Sequence, residues 1–222
     1  MEKAVVIFSG GQDSTTCLYW AKKNYDEVHA ITFAYGQRHE VELRCAKEIC
    51  EKENVPHVVV DMQFLGTLVD SALINGGDVN RILDNGLPAS FVPNRNQLFI
   101  TLAHAYAQKI GANFLVGGMC ETDFSGYPDC RRDFIDTLIA ASNKGSGARI
   151  VMHTPLMQLN KAQTFELASR LGVLDKVVML SHTCYNGDRE HLHAWGYGCD
   201  NCPACELRKK GFASYLETRG MS

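Results

Sequence analysis

The stretch Phe8-Ser9-Gly10-Gly11-Gln12-Asp13-Ser14, directly after the apolar run Ala4-Val5-Val6-Ile7, constrains this chain more than any other. An uninterrupted, β-branched run reads as a strand buried on both faces, as in a parallel sheet. Paired glycines reach backbone angles closed to other residues. Beyond them, Ser14-Thr15-Thr16-Cys17-Leu18-Tyr19-Trp20-Ala21 reads as a helix start capped by Asp13 or Ser14. A strand, a glycine turn and a helix N-terminus together make an anion site, because free N–H groups and the positive end of the helix dipole converge there. The loop lacks the lysine of the Walker pattern G-x-x-x-x-G-K-[ST], and it is not the dinucleotide fingerprint G-x-G-x-x-G.

The rest of the chain fits one α/β domain with an appendage. Its 222 residues can bury a sizeable core, and 45% apolar with 21% charged content is that of a soluble globular protein. A net charge of −3 and a pI near 6.2 argue against broad nucleic-acid binding. No apolar run approaches the ~18 residues needed to span a bilayer, and no signal-peptide pattern opens the chain. Nine cysteines then point to a reducing compartment, the cytoplasm, and to metal or catalytic use of the thiols.

In chain order, Glu27–Phe33 reads as a second strand, whose exit at Tyr35, Gly36, Gln37 and Arg38 should lie beside the glycine loop, where open α/β sheets bind ligands. Helical spacing over 39–54 and a strand at 57–62 complete a strand–helix alternation that means a parallel sheet. Residues 66–92 break the rhythm with repeated glycine and proline turns and read as a mobile cover over the site. Segment 97–107 is apolar nearly all round and should be a buried helix, with Arg95 and Asn96 at its start within reach of a phosphate and His104 a satisfied core histidine. A fourth strand at 113–118 leads into the loop 119–131, where Glu121, Asp123 and Asp129 suit the donor edge of a guanine-like ring and Phe124 or Tyr127 can stack on its face. A helix over 133–143 and a fifth strand over 149–156 follow. Asn160-Lys161-Ala162-Gln163 opens a further helix with a capping-box pattern. A lysine in a first helical turn opposes the dipole, so Lys161 reads as a ligand of a nearby anion, a phosphate.

The tail holds Cys184 and then Cys199-Asp200-Asn201-Cys202-Pro203-Ala204-Cys205. Overlapping C-x-x-C pairs plus one upstream cysteine supply the four thiolates of a closed structural zinc site, although an iron–sulfur cluster also takes four and His191 and His193 stand nearby as competing ligands. The remainder of the tail is too short for its own core and should depend on the metal.

S-G-G-x-D-S is the signature of the PP-loop ATP pyrophosphatases, which cleave ATP at the α-phosphate. With Tyr35-Gly-Gln-Arg-His39, Phe91-Val-Pro-Asn-Arg-Asn96, Cys120-Glu-Thr-Asp-Phe-Ser-Gly-Tyr-Pro-Asp-Cys130, Thr154-Pro-Leu-Met157, Thr183-Cys-Tyr-Asn-Gly187 and the cysteine tail, the chain resembles the 7-cyano-7-deazaguanine synthases of queuosine biosynthesis over nearly its whole length. The Cys184-to-Cys199 spacing is longer than that family's pattern leads one to expect, with Asp188–Tyr197 reading as an insertion.

The resemblance implies a five-stranded parallel, Rossmann-like sheet of the adenine nucleotide alpha hydrolase type, helices on both faces, over residues 1–180, with a zinc-binding segment over 181–222. It implies an ATP-dependent ligase that turns 7-carboxy-7-deazaguanine and ammonia into 7-cyano-7-deazaguanine, through an adenylated acid and an adenylated amide, with AMP and pyrophosphate released. Phe8, Ser9, Gly10, Gly11, Gln12, Asp13, Ser14, Thr15, Thr16, Cys17 and Leu18, with Tyr35 and Gln37, would hold ATP. Ser9, Asp13, Ser14, Arg95 and Lys161 would act on the phosphates, Asp13 helping to position Mg²⁺. Glu121, Asp123, Phe124, Ser125, Tyr127 and Asp129 would receive the deazaguanine. Cys184, Cys199, Cys202 and Cys205 would hold one Zn²⁺ per subunit of a homodimer that uses neither nucleic acid nor membrane. The competing readings are a PP-loop tRNA thiolase, which needs an RNA-binding surface, and a zinc-stabilised nucleotide-binding module without catalysis.

Overall fold

The structure, a computed structural model, describes residues 1–36, 41–78, 81–84, 86–122 and 127–220. Five parallel strands, β1 (Lys3–Ile7), β2 (Glu27–Ala34), β3 (His57–Asp61), β4 (Phe114–Val116) and β5 (Val151–His153), form one sheet in the order β3-β2-β1-β4-β5. β1 lies at its centre, with Val5 opposite His29 on one side and Leu115 on the other. Side chains alternate across a strand, so β1 feeds two cores. Ala4 and Val6 pack with Leu18 of α1 (Gln12–Asn24) and Ala46 and Ile49 of α2 (Val41–Lys52). Val5 packs on the opposite face with Ile100 and Ala103 of α3 (Arg95–Ile110) and Ile135 of α4 (Arg132–Ser146). Each fully buried side chain such as Leu115 or Ile100 contributes about 1.5–3 kcal/mol.

Several expectations need correction. α1 starts two or three residues earlier than a cap at Asp13 or Ser14 requires: Gly11 is its N-cap, and no side chain caps it. α3 is buried on one side only. Ala103 and Ala107 face the sheet while Leu102 is exposed, because a helix lying on a sheet has solvent behind it. α4 runs on through Ser146 and stops at Gly147, whose φ of +71° ends the helix in the left-handed region. β4 and β5 are three residues each, shorter than the apolar runs suggest. Within 66–92, a 3-10 turn closes at Thr67 and Ile82 bridges Pro88, so the segment carries local structure of its own.

The C-terminal third contains helices that apolar spacing alone did not reveal: α6 (Leu174–Leu180), following the expected α5 (Lys161–Arg170), and α7 (Pro203–Thr218). The Asp188–Tyr197 stretch folds into a small hairpin, β6 (Leu192–His193) against β7 (Gly196–Tyr197). α7 crosses α5 so closely that a Cβ on Gly211 would stand 2.6 Å from the Lys161 Cβ and Cγ. The carbonyls ending α6 have no partner within their helix. Two arginines supply one. Arg208 of α7, 1% exposed, donates to the Val177 and Val178 carbonyls and to the Ser181 and Thr183 hydroxyls, and Arg189 donates to the carbonyls of Met179, Leu180 and Ser181. Burial pulls the Arg208 guanidinium down to about 10, so it remains charged at neutral pH beside the negative end of α6.

Arg208→Met should strand these buried acceptors and lower the urea unfolding stability by about 1–3 kcal/mol. Arg208→Lys should recover only part of the loss, because one ammonium cannot replace the planar fork.

Candidate active site and metal centre

The strand order reverses between β1 and β4, the switch point at which open α/β sheets bind ligands. A cavity of about 350 Å³ opens there, floored by the loop after β1 and the start of α1. The loop can exist only with glycine at position 10. Its φ is +82°, and a Cβ would lie 2.6 Å from the Glu42 carbonyl oxygen and 2.7 Å from the Ala46 nitrogen. The Gly10 carbonyl accepts from the His182 N–H at 2.9 Å, which ties the loop to the segment after α6. Gly118, following β4, passes 3.3 Å from the start of α1 measured from its own missing Cβ, so the two switch-point loops touch.

Inside the loop the hydroxyls of Ser9 and Ser14 stand 3.1 Å apart; the Gly11 N–H donates to Ser9 Oγ, and the Ser9 N–H to Ser14 Oγ. Asp13, on the first turn of α1, receives the Lys161 ammonium at 2.8 and 3.1 Å. Lys161 is thus neither solvated nor alone: the anion beside it is a carboxylate at the lip of the cavity. Gln12 lines the same cavity with both polar atoms of its side chain buried and without a partner among the described residues, and Thr15 Oγ1 is likewise orphaned among them. Buried polar atoms left in this state at a cavity wall suit a polar ligand. Phe8 and Cys17 belong to the packed core with Leu18, and burial pushes the Cys17 thiol up, which makes it a structural residue. Thr16 turns its hydroxyl onto the Gln12 carbonyl.

The far wall is aromatic and cationic. Arg95 lies 5.9 Å from the ring centres of both Tyr35 and Tyr127. Phe33 stacks on Phe99 at 4.3 Å, and Tyr127 donates or accepts with Ser90 at 2.7 Å, which brings the 66–92 segment to the cavity beside Leu73. Burial opposes the Arg95 charge, but the surrounding tyrosines and Asp129 outweigh it and hold its pKa above the ordinary value.

Of the residues expected to receive a purine-like ring, Tyr127 lines the cavity. Asp129 is buried behind the wall and accepts from the Asn96 N–H, capping α3. Glu121 accepts from the Arg132 N–H at the start of α4 and from Gln158. Both carboxylates therefore serve as helix or loop anchors in this arrangement. Gln37, Arg38, Asp123, Phe124 and Ser125 lie outside the described residues. Sequence reasoning passed over Glu42, Thr183 and Tyr185, which also line the cavity. Thr183 and Tyr185 flank Cys184 in a motif read only for its cysteine; Glu42 sits in an ordinary helical turn with no motif to mark it.

Behind Tyr185 the four cysteines Cys184, Cys199, Cys202 and Cys205 bring their sulfurs within 4.8 Å of one another, with Cys184–Cys202 and Cys199–Cys205 at 4.0 Å. Tetrahedral Zn–S bonds of ~2.3 Å place sulfurs about 3.8 Å apart, so the donor set fits such an ion. Four thiols this close share charge unequally: bonds from Cys202 and Cys205 pull Cys184 below the ordinary thiol range, while the Cys184 thiolate pushes Cys205 up. A cation is what allows all four to ionise. Asn186 donates to Cys199 Sγ, and Gly198 leaves room for Cys205 Sγ, 2.6 Å from where a Cβ would be. The histidines have other partners. His191 bonds Asp188, and His193 stacks on Trp195 at 4.5 Å and bonds the Gly198 carbonyl. Cobalt(II) added to stripped protein should give the intense visible absorption of a tetrahedral thiolate site, and Cys202→Ser should abolish it and lower the melting temperature.

Comparison with known proteins agrees with this geometry. The family model described as queuosine biosynthesis protein QueC matches residues 3–216. The chain is 51% identical over 218 residues to a 7-cyano-7-deazaguanine synthase of Helicobacter pylori strain HPAG1, covering 96% of each chain. It is 51% identical over 216 residues to the synthase of Wolinella succinogenes, covering 96% of this chain and 93% of the relative, and 48% identical over 227 residues to that of Burkholderia multivorans, with the same coverage. Among solved structures, a 4-thiouridine synthetase–RNA complex with bound ATP shares the fold at a TM-score of 0.54 and 15% identity over 99% of this chain and 53% of that one. The NH3-dependent NAD synthetase of Campylobacter jejuni does so at 0.51 and 16%, over 79% and 66%. By sequence, the chain belongs to the QueC family of queuosine biosynthesis proteins.

Proposed function

We propose that this protein is an ATP-dependent ligase that makes 7-cyano-7-deazaguanine from 7-carboxy-7-deazaguanine and ammonia. The observation that carries the reading is the orphaned, glycine-built anion site at the sheet's switch point, in a chain about half identical to named synthases along nearly its full length.

A carboxylate does not exchange oxygen for nitrogen until that oxygen becomes a leaving group. In the first cycle a carboxylate oxygen attacks the α-phosphorus of ATP, the bond to the β-phosphate breaks, and pyrophosphate leaves. Ammonia then attacks the acyl carbon and AMP departs, leaving the amide. In the second cycle the amide oxygen attacks the α-phosphorus of another ATP, pyrophosphate again leaves, and loss of two protons from nitrogen expels AMP as the C≡N bond forms. The uncapped first turn of α1 and the Ser9 and Ser14 hydroxyls receive the phosphates. Lys161 exchanges its Asp13 contact for the developing charge on the α-phosphate, and Arg95 supplies a second cation. Asp13, once released, is the carboxylate for Mg²⁺. Tyr127, Tyr35 and Phe99 offer ring faces to the bases.

The four-cysteine cluster holds Zn²⁺ in a closed shell without an open coordination position, so the metal's part is structural. Residues 1–180 form the nucleotide-binding unit and 181–222 a segment that this metal orders. Ammonia enters free. The nine unpaired cysteines support a cytoplasmic setting, and the exposed Val59 of the edge strand β3, with the exposed Phe64 and Leu68 in and after the 3-10 turn that follows it, support a homodimer.

Purified protein with ATP, Mg²⁺, ammonium and the carboxylic acid should yield a product of nitrile mass, together with AMP and not ADP. No conversion by metal-loaded protein would reject the reading. Lys161→Ala should lower turnover about 100–1,000-fold, in line with the loss of one preorganised charge.

A further inference from the structure

We propose that Glu42 is the proton acceptor for the ammonia-derived nitrogen, an assignment that rests on the nitrile-forming reaction proposed above. Ammonia carries three N–H bonds and a nitrile nitrogen none. One proton must leave as ammonia replaces AMP, and two more as the adenylated amide collapses and the electron pairs of its N–H bonds become the second and third C–N bonds. A group that accepts these protons and passes them to solvent has to stand beside the phosphate loop, where the activated carbon is made.

Glu42 stands there. It occupies the first turn of α2, with its carboxylate Oε1 3.9 Å from where a Cβ on Gly11 would be, and it lines the cavity together with Arg95, Tyr35 and Tyr185. Asp13, the other carboxylate of the lining, is occupied by Lys161. No hydrogen bond or ion pair among the described residues engages the Glu42 carboxylate. Burial raises its pKa to about 7, with the Arg95 charge opposing part of the rise. The other titratable groups of the cavity are poorer acceptors near neutrality: burial pulls the His182 imidazole down to about 4, and it pushes the Cys130 thiol up to about 12 and the Tyr185 phenol higher still. The titratable groups around Glu42 include Arg95 of α3, Tyr35 after β2, His182 across Gly11, Tyr185 after Cys184, and Cys45 on its own helix. A carboxyl group with its pKa near the working pH is matched to accepting protons there.

The test supplies the amide, 7-amido-7-deazaguanine, with ATP and Mg²⁺ and without ammonia, so that nitrile formation is read apart from ammonia supply. Wild-type rate should fall as pH drops through about 7 and Glu42 takes up its proton. Glu42→Gln should slow nitrile formation about 100-fold or more and lose this acidic limb, while ATP still raises its melting temperature as in the wild type. Glu42→Ala should be partly rescued by formate, which checks the role should the glutamine variant fold poorly. Nitrile formation by Glu42→Gln within about threefold of wild type, with the same pH profile, would overturn the assignment, as would failure of formate to rescue. Wild-type protein that binds ATP and converts neither acid nor amide would instead overturn the reaction itself.

Discussion

The absence of a side chain at Gly10 is the constraint on which the site rests. Its left-handed backbone and its approach to the Glu42 carbonyl and Ala46 nitrogen let the loop nest against α2. Its carbonyl is then free to accept the His182 N–H. One residue thus joins β1, α2 and the segment after α6. A Cβ there would have to displace backbone on two sides while holding a costly φ, and no flexible side chain stands in the way to give instead.

From that junction the rest of the site follows outward. His182 lies two residues before Cys184, so whatever fixes the cysteine cluster also fixes the strap that holds the loop. Arg208 and Arg189 fasten the other end of the strap by filling the carbonyls that end α6. Gly211 lets α7 press on α5 at Lys161, which aims that lysine at Asp13. The four-cysteine segment therefore acts as a brace for the glycine loop, with Thr183 and Tyr185 of that brace forming part of the cavity wall.

Much of this was legible in the sequence because it depends on local patterns. The run Ala4–Ile7, the paired glycines, the capping box at Asn160 and the cysteine spacing each need only near neighbours to be read, and the capping box and the four-sulfur cluster are found as expected. Roles decided by distant contacts were not legible. Glu121 and Asp129 looked like ring-reading acids from their polar loop, yet they accept from the Arg132 and Asn96 amides, because helices arriving from elsewhere needed capping. Lys161 announced an anion by opposing its helix dipole; that the anion in reach is Asp13, 148 residues away in the chain, is a property of the packing of α5 on α1. Glu42 carried no signal, since a glutamate in a first helical turn is ordinary and only the cavity makes it otherwise.

The central claim is that ATP's phosphates sit on the uncapped start of α1 and draw Lys161 away from Asp13. A crystal structure with an ATP analogue whose α–β bridge resists cleavage tests it most directly. The account predicts phosphate oxygens on the amides of residues 11–14, with the Lys161 ammonium on the α-phosphate. Phosphates lodged elsewhere in the cavity, or Lys161 still paired with Asp13 beside a bound nucleotide, would contradict it.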